Sequence, residues 1–154
     1  MKVIRAEDIQ SNFNVAIVVS RFNEQITNRL LEGAVERLHE LEFSDDQITI
    51  IWVPGAVEIP VVAQRLAKRN EYAAIITFGA VVEGETYHFD YVCDSVTQGC
   101  QRVSLDHDIP VIFGILTTKN MEQALDRVGG KRGHHGRDCA DAAYEMVSVL
   151  RQLS

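Results

Sequence analysis

The sequence predicts a single α/β domain in which a four-stranded parallel sheet lies between two layers of helices, a three-layer α/β/α sandwich. Four apolar runs rich in β-branched residues alternate along the chain with amphipathic helical patterns. Helical crossovers between successive strands give parallel pairing, and a parallel sheet must be covered on both faces. The length of 154 residues, 46% of them hydrophobic, suits one such domain over residues 1–154.

The first half of the chain predicts the order strand, helix, strand, helix. Continuous apolar runs from Val15 to Val19 and from Ile48 to Val53 are typical of buried parallel strands. Pro54 and Gly55 end the second strand, and a helix opens at Val57 to Pro60, where a proline in the first turn is tolerated. Between the two strands, apolar residues recur every three or four positions, as in an amphipathic helix: Ile26, Leu30, Leu31, Ala34, Val35, Leu38 and Leu41.

The second half repeats the alternation. The third strand is predicted at Ala73 to Phe78, and the fourth at Val111 to Thr117 after Pro110. Asn120 is placed to cap a short helix, and a turn from Gly129 to Gly136 leads to the last helix. The apolar faces of these three helices are, in order, Phe89, Val92, Cys93, Val96, Cys100 and Val103; Met121, Ala124, Leu125 and Val128; and Ala140, Ala143, Met146, Val147 and Leu150.

Composition excludes several classes of function. The net charge of -7 argues against a nucleic-acid partner, because phosphate backbones require clustered Lys and Arg. No window approaches the roughly 20 apolar residues of a membrane span, and the start of the chain lacks a signal-peptide pattern, so we expect a cytoplasmic protein. Cys93 and Cys100 lie too far apart on one helix for a disulfide, and Cys139 has no evident partner, which indicates structural thiols.

The stretch from Gly79 to His88 joins the third strand to the following helix. The first turn of a helix offers unpaired N–H groups and a positive dipole end, so this junction favours an anion. Gly84 allows close approach of the backbone, Thr86 adds a hydroxyl, and His88 adds an imidazole suited to proton transfer near neutral pH. The alternative is an ordinary loop with a capping threonine and a surface histidine.

Other loops at the carboxyl edge of the sheet, where ligands of such sheets bind, also carry unexpected residues. Phe22 could stack on a planar heterocycle or fold back onto the sheet. Glu58 could complement the helix dipole or accept hydrogen bonds from a ligand. Arg127 could complement the end of its short helix or bind a phosphate.

Familiar cofactor sites are not predicted. His134, His135 and Asp138 have no Cys or Glu at metal-site spacing, and adjacent histidines point in different directions. No Gly-x-Gly-x-x-Gly follows the first strand and no Walker loop is present, so hydride transfer and ATP hydrolysis are poorly supported. The residues therefore favour neither a metal site nor a dinucleotide or ATP site.

The loops taken together resemble the 6,7-dimethyl-8-ribityllumazine synthases. The matching segments follow in order over nearly the whole chain: Arg21-Phe22-Asn23, Trp52-Val53-Pro54-Gly55-Ala56, Glu58-Ile59-Pro60, Gly84 with Thr86 and His88, Pro110-Val111-Ile112-Phe113-Gly114, Thr117-Thr118, and Glu122-Gln123-Ala124 with Arg127. Any one segment is weak, but the set with its spacing is specific.

The resemblance implies a flavodoxin-like fold and a transferase of riboflavin biosynthesis. The reaction condenses 5-amino-6-(D-ribitylamino)uracil with 3,4-dihydroxy-2-butanone 4-phosphate to 6,7-dimethyl-8-ribityllumazine, the penultimate step of the pathway, and releases phosphate and water without metal or cofactor. The residues implied to contact the aminouracil are Phe22, Ala56, Val57, Glu58, Ala80, Val81, Val82 and Phe113. Those implied to contact the butanone phosphate are Glu85, Thr86 and Arg127, with His88 as the catalytic residue.

The resemblance also implies assembly. Family members place Phe113 and Arg127 on the neighbouring subunit, form pentamers, and in many cases build a 60-subunit icosahedral shell, for which riboflavin synthase is a candidate partner. This chain departs from the family pattern at Val57, Ala80, Glu83 and Glu85, and His135 stands where a lysine is usual. These departures motivate an alternative, a catalytically weak flavin- or lumazine-binding shell protein.

Overall fold

The computed structural model describes all 154 residues and contains the predicted parallel sheet. Its strands are β1 (Val15–Ser20), β2 (Ile48–Val53), β3 (Ala74–Val82) and β4 (Val111–Thr118), in the spatial order β2-β1-β3-β4 with every neighbouring pair parallel. The helices are α1 (Glu24–Glu40), α2 (Ile59–Lys68), α3 (His88–His107), α4 (Met121–Leu125) and α5 (His135–Leu153). This strand order is that of flavodoxin-like folds, so the predicted fold class is confirmed.

The central strand β1 explains why its sequence is apolar throughout. Val15, Ile17 and Val19 face a core shared with α1 and α5, whereas Ala16 and Val18 face a core shared with α2 and α3. All five side chains have no exposure to solvent. Side chains alternate across a strand, so a sheet covered on both faces requires apolar residues at consecutive positions.

Helices α1 and α5 pack closely on one face of the sheet. Gly136 is buried at their crossing, where a Cβ would overlap the carbonyl oxygen of Leu30 and lie 2.9 Å from its Cα. At the surface, the Arg37 guanidinium contacts Asp141 at 2.7 Å and thereby ties the two helices together. The contact therefore depends on a residue without a side chain at position 136.

Three details differ from the prediction. Helix α4 ends at Leu125, and Val128 belongs instead to a two-stranded antiparallel hairpin, β5 (Val128–Gly130) and β6 (Gly133–His134). The hairpin uses left-handed backbone at Gly129 (φ 105°) and Gly133 (φ 80°), which glycine adopts without strain. Met146 is 40% exposed rather than part of the core face of α5.

Strand β3 is longer than its apolar run suggests. Residues 79–82 continue the strand because they pair with residues 115–118 of β4. The loop to α3 therefore begins at Glu83, and His88 is the first residue of the helix. No helix of the protein combines the length and apolar character needed to cross a membrane.

Candidate active site

A cleft of about 350 Å³ lies at the carboxyl edge of the sheet. Its walls are a short 3-10 turn at Ala56–Glu58, the end of β3 and the start of α3. Thirteen residues line it: Phe22, Gly55, Ala56, Val57, Glu58, Ala80, Val81, Val82, Gly84, Thr86, His88, Phe89 and Val92. The cleft thus has mainly apolar walls with one carboxylate and one imidazole.

Most residues singled out in the sequence come together here. Nine of the predicted site residues line the cleft: Phe22, Ala56, Val57, Glu58, Ala80, Val81, Val82, Thr86 and His88. Phe89 and Val92 also line it, although their spacing predicted only a core face for α3. Both are half-buried, so the first turns of α3 form one wall of the cleft.

Phe22 is presented to the cleft by a loop with defined backbone contacts. Its N–H donates to the carbonyl of Pro54 at 3.0 Å, and the N–H of Arg21 donates to Val53 at 2.8 Å. The Phe22 side chain is 71% exposed, so it does not fold back onto the sheet edge. An aromatic face held at the mouth of a cleft can stack on a planar ring.

Asn23 supports the cleft without lining it, a role that the sequence did not reveal. It adopts left-handed backbone (φ 60°), and its Nδ2 donates to the carbonyl of Ala80 at 2.8 Å. Asparagine tolerates this conformation better than most residues. The side chain therefore connects the loop that carries Phe22 to the strand that forms the cleft floor.

We expect Asn23→Ala to destabilise the protein by about 2 kcal/mol, because it removes this hydrogen bond and because alanine tolerates left-handed backbone less well than asparagine. Asn28→Ala is the matched control, since the amide of Asn28 bonds only Glu32 on the exposed face of α1. Chemical denaturation of both variants measures the difference. Equal midpoints for the two variants would contradict the role given to Asn23.

The Glu58 carboxylate is free to meet a ligand. It lies at the end of the 3-10 turn, is exposed, and makes no hydrogen bond or ion pair with another side chain. One carboxylate oxygen lies over Gly55, 3.3 Å from where a Cβ would stand. Glycine at position 55 thus leaves room for the carboxylate beside the cleft.

His88 and Thr86 stand at the amino end of α3. The N–H of His88 donates to the Thr86 hydroxyl at 3.3 Å, while the imidazole makes no hydrogen bond. Nothing approaches within 4 Å of the position that a Cβ of Gly84 would occupy. The 20-residue helix α3 directs its positive end toward this open loop.

Four predicted site residues do not line the cleft of a single chain. Phe113 is exposed on the edge strand β4, and Glu85 is exposed in the loop before α3. The Arg127 guanidinium donates to the carbonyl of Gln123 at 2.8 Å. His135 donates its N–H to the carbonyl of Arg127 at 2.7 Å, so these two residues are neighbours on the hairpin.

The histidine pair at the junction of the hairpin and α5 has two separate environments. The His134 ring accepts from the N–H of Arg137 at 3.4 Å and packs on Gly33, whereas the His135 ring lies 3.7 Å from the Cys139 sulfur. No cluster of three His, Cys, Asp or Glu side chains has the arrangement of a metal site.

The buried cysteines have the properties of structural thiols. Burial raises the pKa of Cys139 to about 12 and that of Cys100 to about 11. Burial also raises the pKa of Cys93. All three are unpaired, and the thiols remain protonated at neutral pH, the unreactive form.

The fold is that of a flavodoxin-like α/β protein, with a mainly apolar cleft at the carboxyl edge of its sheet that is large enough for a small organic ligand. Comparison with known proteins gives the family. The model of the 6,7-dimethyl-8-ribityllumazine synthase family matches residues 12–151, and the chain belongs to that family.

Curated relatives agree with this assignment. A protein of Coxiella burnetii (strain Dugway 5J108-111) named 6,7-dimethyl-8-ribityllumazine synthase is 51% identical over 144 residues, which cover 94% of this chain and 95% of the relative. Proteins of the same name from the strains CbuG_Q212 and RSA 493 / Nine Mile phase I show the same identity and coverage. The similarity therefore extends over the fold and the cleft together.

Proposed function

We propose that this chain is a transferase that condenses 5-amino-6-(D-ribitylamino)uracil with 3,4-dihydroxy-2-butanone 4-phosphate. The products are 6,7-dimethyl-8-ribityllumazine, phosphate and water, in the penultimate step of riboflavin biosynthesis. The observation that carries this proposal is the meeting of an exposed aromatic ring, an unpaired carboxylate and an unpaired imidazole, Phe22, Glu58 and His88, in one cleft of about 350 Å³.

The aminouracil occupies the part of the cleft between the 3-10 turn and β3. Phe22 stacks on its planar ring. The backbone of Ala56 and Val57 and the carboxylate of Glu58 hold the ribityl hydroxyls, which can donate to a carboxylate. The backbone of residues 80–82 faces the pyrimidine.

The butanone phosphate binds at the start of α3. The N–H groups of Glu85 and Thr86 face the phosphate at the positive end of the helix. The Glu85 carboxylate is exposed and turns to solvent. His88 accepts and returns the protons of imine formation and phosphate elimination, while holding both substrates in register supplies much of the acceleration.

A second subunit completes the site with Phe113 and Arg127, and His135 stands beside Arg127. The exposed apolar side chains Ile50 and Trp52 support association, because they lie on the outer part of the sheet face that α1 and α5 leave uncovered. The assembly is a pentamer, with a 60-subunit icosahedral shell built from such pentamers. Riboflavin synthase is a candidate partner inside the shell.

The enzyme works in the cytoplasm, an assignment supported by its unpaired cysteines.

A catalytically weak binding protein is not favoured, because the relatives that share 51% identity over 94% of the chain carry the synthase name. The unpaired state of the His88 ring also leaves it available for proton transfer.

The test is absorbance in the near-ultraviolet and blue after the two substrates are mixed with the protein, with phosphate release followed in parallel. Lumazine and phosphate formed in equal amounts above the spontaneous rate support the synthase. Tight aminouracil binding with only background product would contradict it. Light scattering on the same sample measures the mass of the assembly. The mass of a monomer would contradict a site shared between subunits. The mass of a single pentamer would contradict only the icosahedral shell.

A further inference from the structure

The His134 side chain holds the hairpin of β5 and β6 against helix α1. A Cβ at Gly33 of α1 would overlap the His134 imidazole, and the three atoms nearest to that Cβ all belong to the ring, with both ring nitrogens at 2.6 Å. The ring therefore lies directly on the backbone of α1. Only glycine leaves this space open, and Gly33 is buried in the middle of the helix.

The same ring caps helix α5. Its Nδ1 accepts a hydrogen bond from the N–H of Arg137 at 3.4 Å. This N–H belongs to the first turn of α5, where the backbone donors have no partner within the helix. One imidazole thus fixes the end of the hairpin relative to two helices, α1 through packing and α5 through its first turn.

Backbone contacts connect His134 to Arg127. His134 pairs with Val128 in the hairpin, and the next N–H, that of His135, donates to the carbonyl of Arg127 at 2.7 Å. The Arg127 guanidinium donates to the carbonyl of Gln123 at 2.8 Å. A hairpin with strands of three and two residues is marginally stable alone. Its position, and that of the Arg127 backbone, therefore depends on contacts with the helices.

We propose that His134 is a positioning residue for the phosphate subsite. By holding the hairpin on α1 and capping α5, it directs Arg127, with His135 beside it, toward the butanone phosphate of the neighbouring subunit. The inference rests on the proposed function, from which it takes the ligand. His134 does not contact the substrate, because its ring is already engaged by Gly33 and Arg137.

The test is steady-state kinetics of lumazine formation by the assembled protein, with each substrate varied in turn. His134→Ala removes both the packing and the cap. We expect KM for the butanone phosphate to rise about 10-fold, because a displaced guanidinium loses its aligned hydrogen bonds to phosphate. KM for the aminouracil should stay within about twofold, since Phe22 and Glu58 lie on other loops. Light scattering should show an unchanged mass.

His134→Asn tests whether the cap can be restored. Asparagine is a preferred N-cap residue and accepts from the same first-turn N–H. We expect its KM for the butanone phosphate to lie within about threefold of the wild-type value. General damage from replacing the imidazole would instead affect the alanine and asparagine variants alike.

Gly33→Ala tests the packing while the imidazole is retained. The added Cβ would overlap the His134 ring and force it away from α1, so KM for the butanone phosphate should again rise about 10-fold. A double variant, Gly33→Ala with His134→Ala, should be no weaker than His134→Ala alone, because the added methyl group has no ring to displace.

His39→Ala is the matched control. His39 lies on the exposed side of α1, and its ring bonds Asp45 at 2.7 Å rather than the hairpin. Both KM values of this variant should equal those of the wild type.

Several outcomes would overturn this inference. One is an unchanged KM for the butanone phosphate in His134→Ala. Another is an equal rise in both KM values with a lower melting temperature, which indicates a general loss of structure. Active wild-type protein with an unaffected His134→Ala variant overturns the inference alone. Wild-type protein that forms no lumazine overturns the proposed function, and the inference with it.

Discussion

His88→Ala is expected to lower kcat for lumazine formation by at least about 10-fold, the effect of losing a positioned acid–base group. The imidazole is exposed in the cleft and makes no hydrogen bond, so its removal leaves the fold intact. The backbone N–H of residue 88, which bonds Thr86, remains in the variant. Steady-state kinetics should therefore show a loss in kcat with little change in KM for the aminouracil.

His107→Ala is the control for this variant. His107 ends the same helix, α3, on the opposite edge of the sheet, and it does not line the cleft. Its replacement should leave both kcat and the assembly unchanged. If His88→Ala and His107→Ala have equal rates, the protons are moved by another group, and the role given to His88 is wrong.

Gly136→Ala is expected to destabilise the protein by at least about 3 kcal/mol. The added Cβ would overlap the backbone carbonyl of Leu30, which cannot rotate away as a flexible side chain can. Relief requires α1 and α5 to separate, and this would loosen the packing of Leu30 and Cys139 in the core. Thermal unfolding at fixed protein concentration measures the effect, because assembly makes the melting temperature depend on concentration.

Gly84→Ala is the matched glycine substitution. No atom lies within 4 Å of its added Cβ, so its melting temperature should stay close to that of the wild type. If Gly136→Ala has the same melting temperature as Gly84→Ala, then α1 and α5 can move apart at little cost in free energy. The close contact between these helices would then not limit stability.

The sequence was sufficient for the fold because the central strand β1 has both faces covered. Continuous burial at residues 15–19 requires an apolar residue at every position. This pattern is easily distinguished from an amphipathic helix, in which apolar residues recur every three or four positions. Strand β3 was predicted too short because Gly79 and Ala80 are weak strand formers. Pairing with β4 keeps them in the sheet, and pairing across 35 residues is not a local property of the chain.

The site was predicted in part. The sequence predicted the site side chains on the loops that follow the strands, because the topology brings these loops to the carboxyl edge of the sheet. The bond from Asn23 to Ala80 and the packing of His134 on Gly33 were not found, because both depend on how a side chain is oriented in the folded protein. Phe113 and Arg127 stay outside the cleft of one chain, and their role rests on the proposed assembly.

The pairing of α1 with α5 has a consequence during protein synthesis. Strands β1 and β3 cover part of the apolar face of α1, but α5, which covers the rest, lies roughly 100 residues later in the chain. At elongation rates of about 5–20 residues per second, the part of this face that packs on α5 stays uncovered for roughly 5–20 s. Nascent chains that already contain the segments of the cleft, up to α3, therefore still expose an apolar surface on α1. Translation pauses before residue 135 would prolong its availability to chaperones.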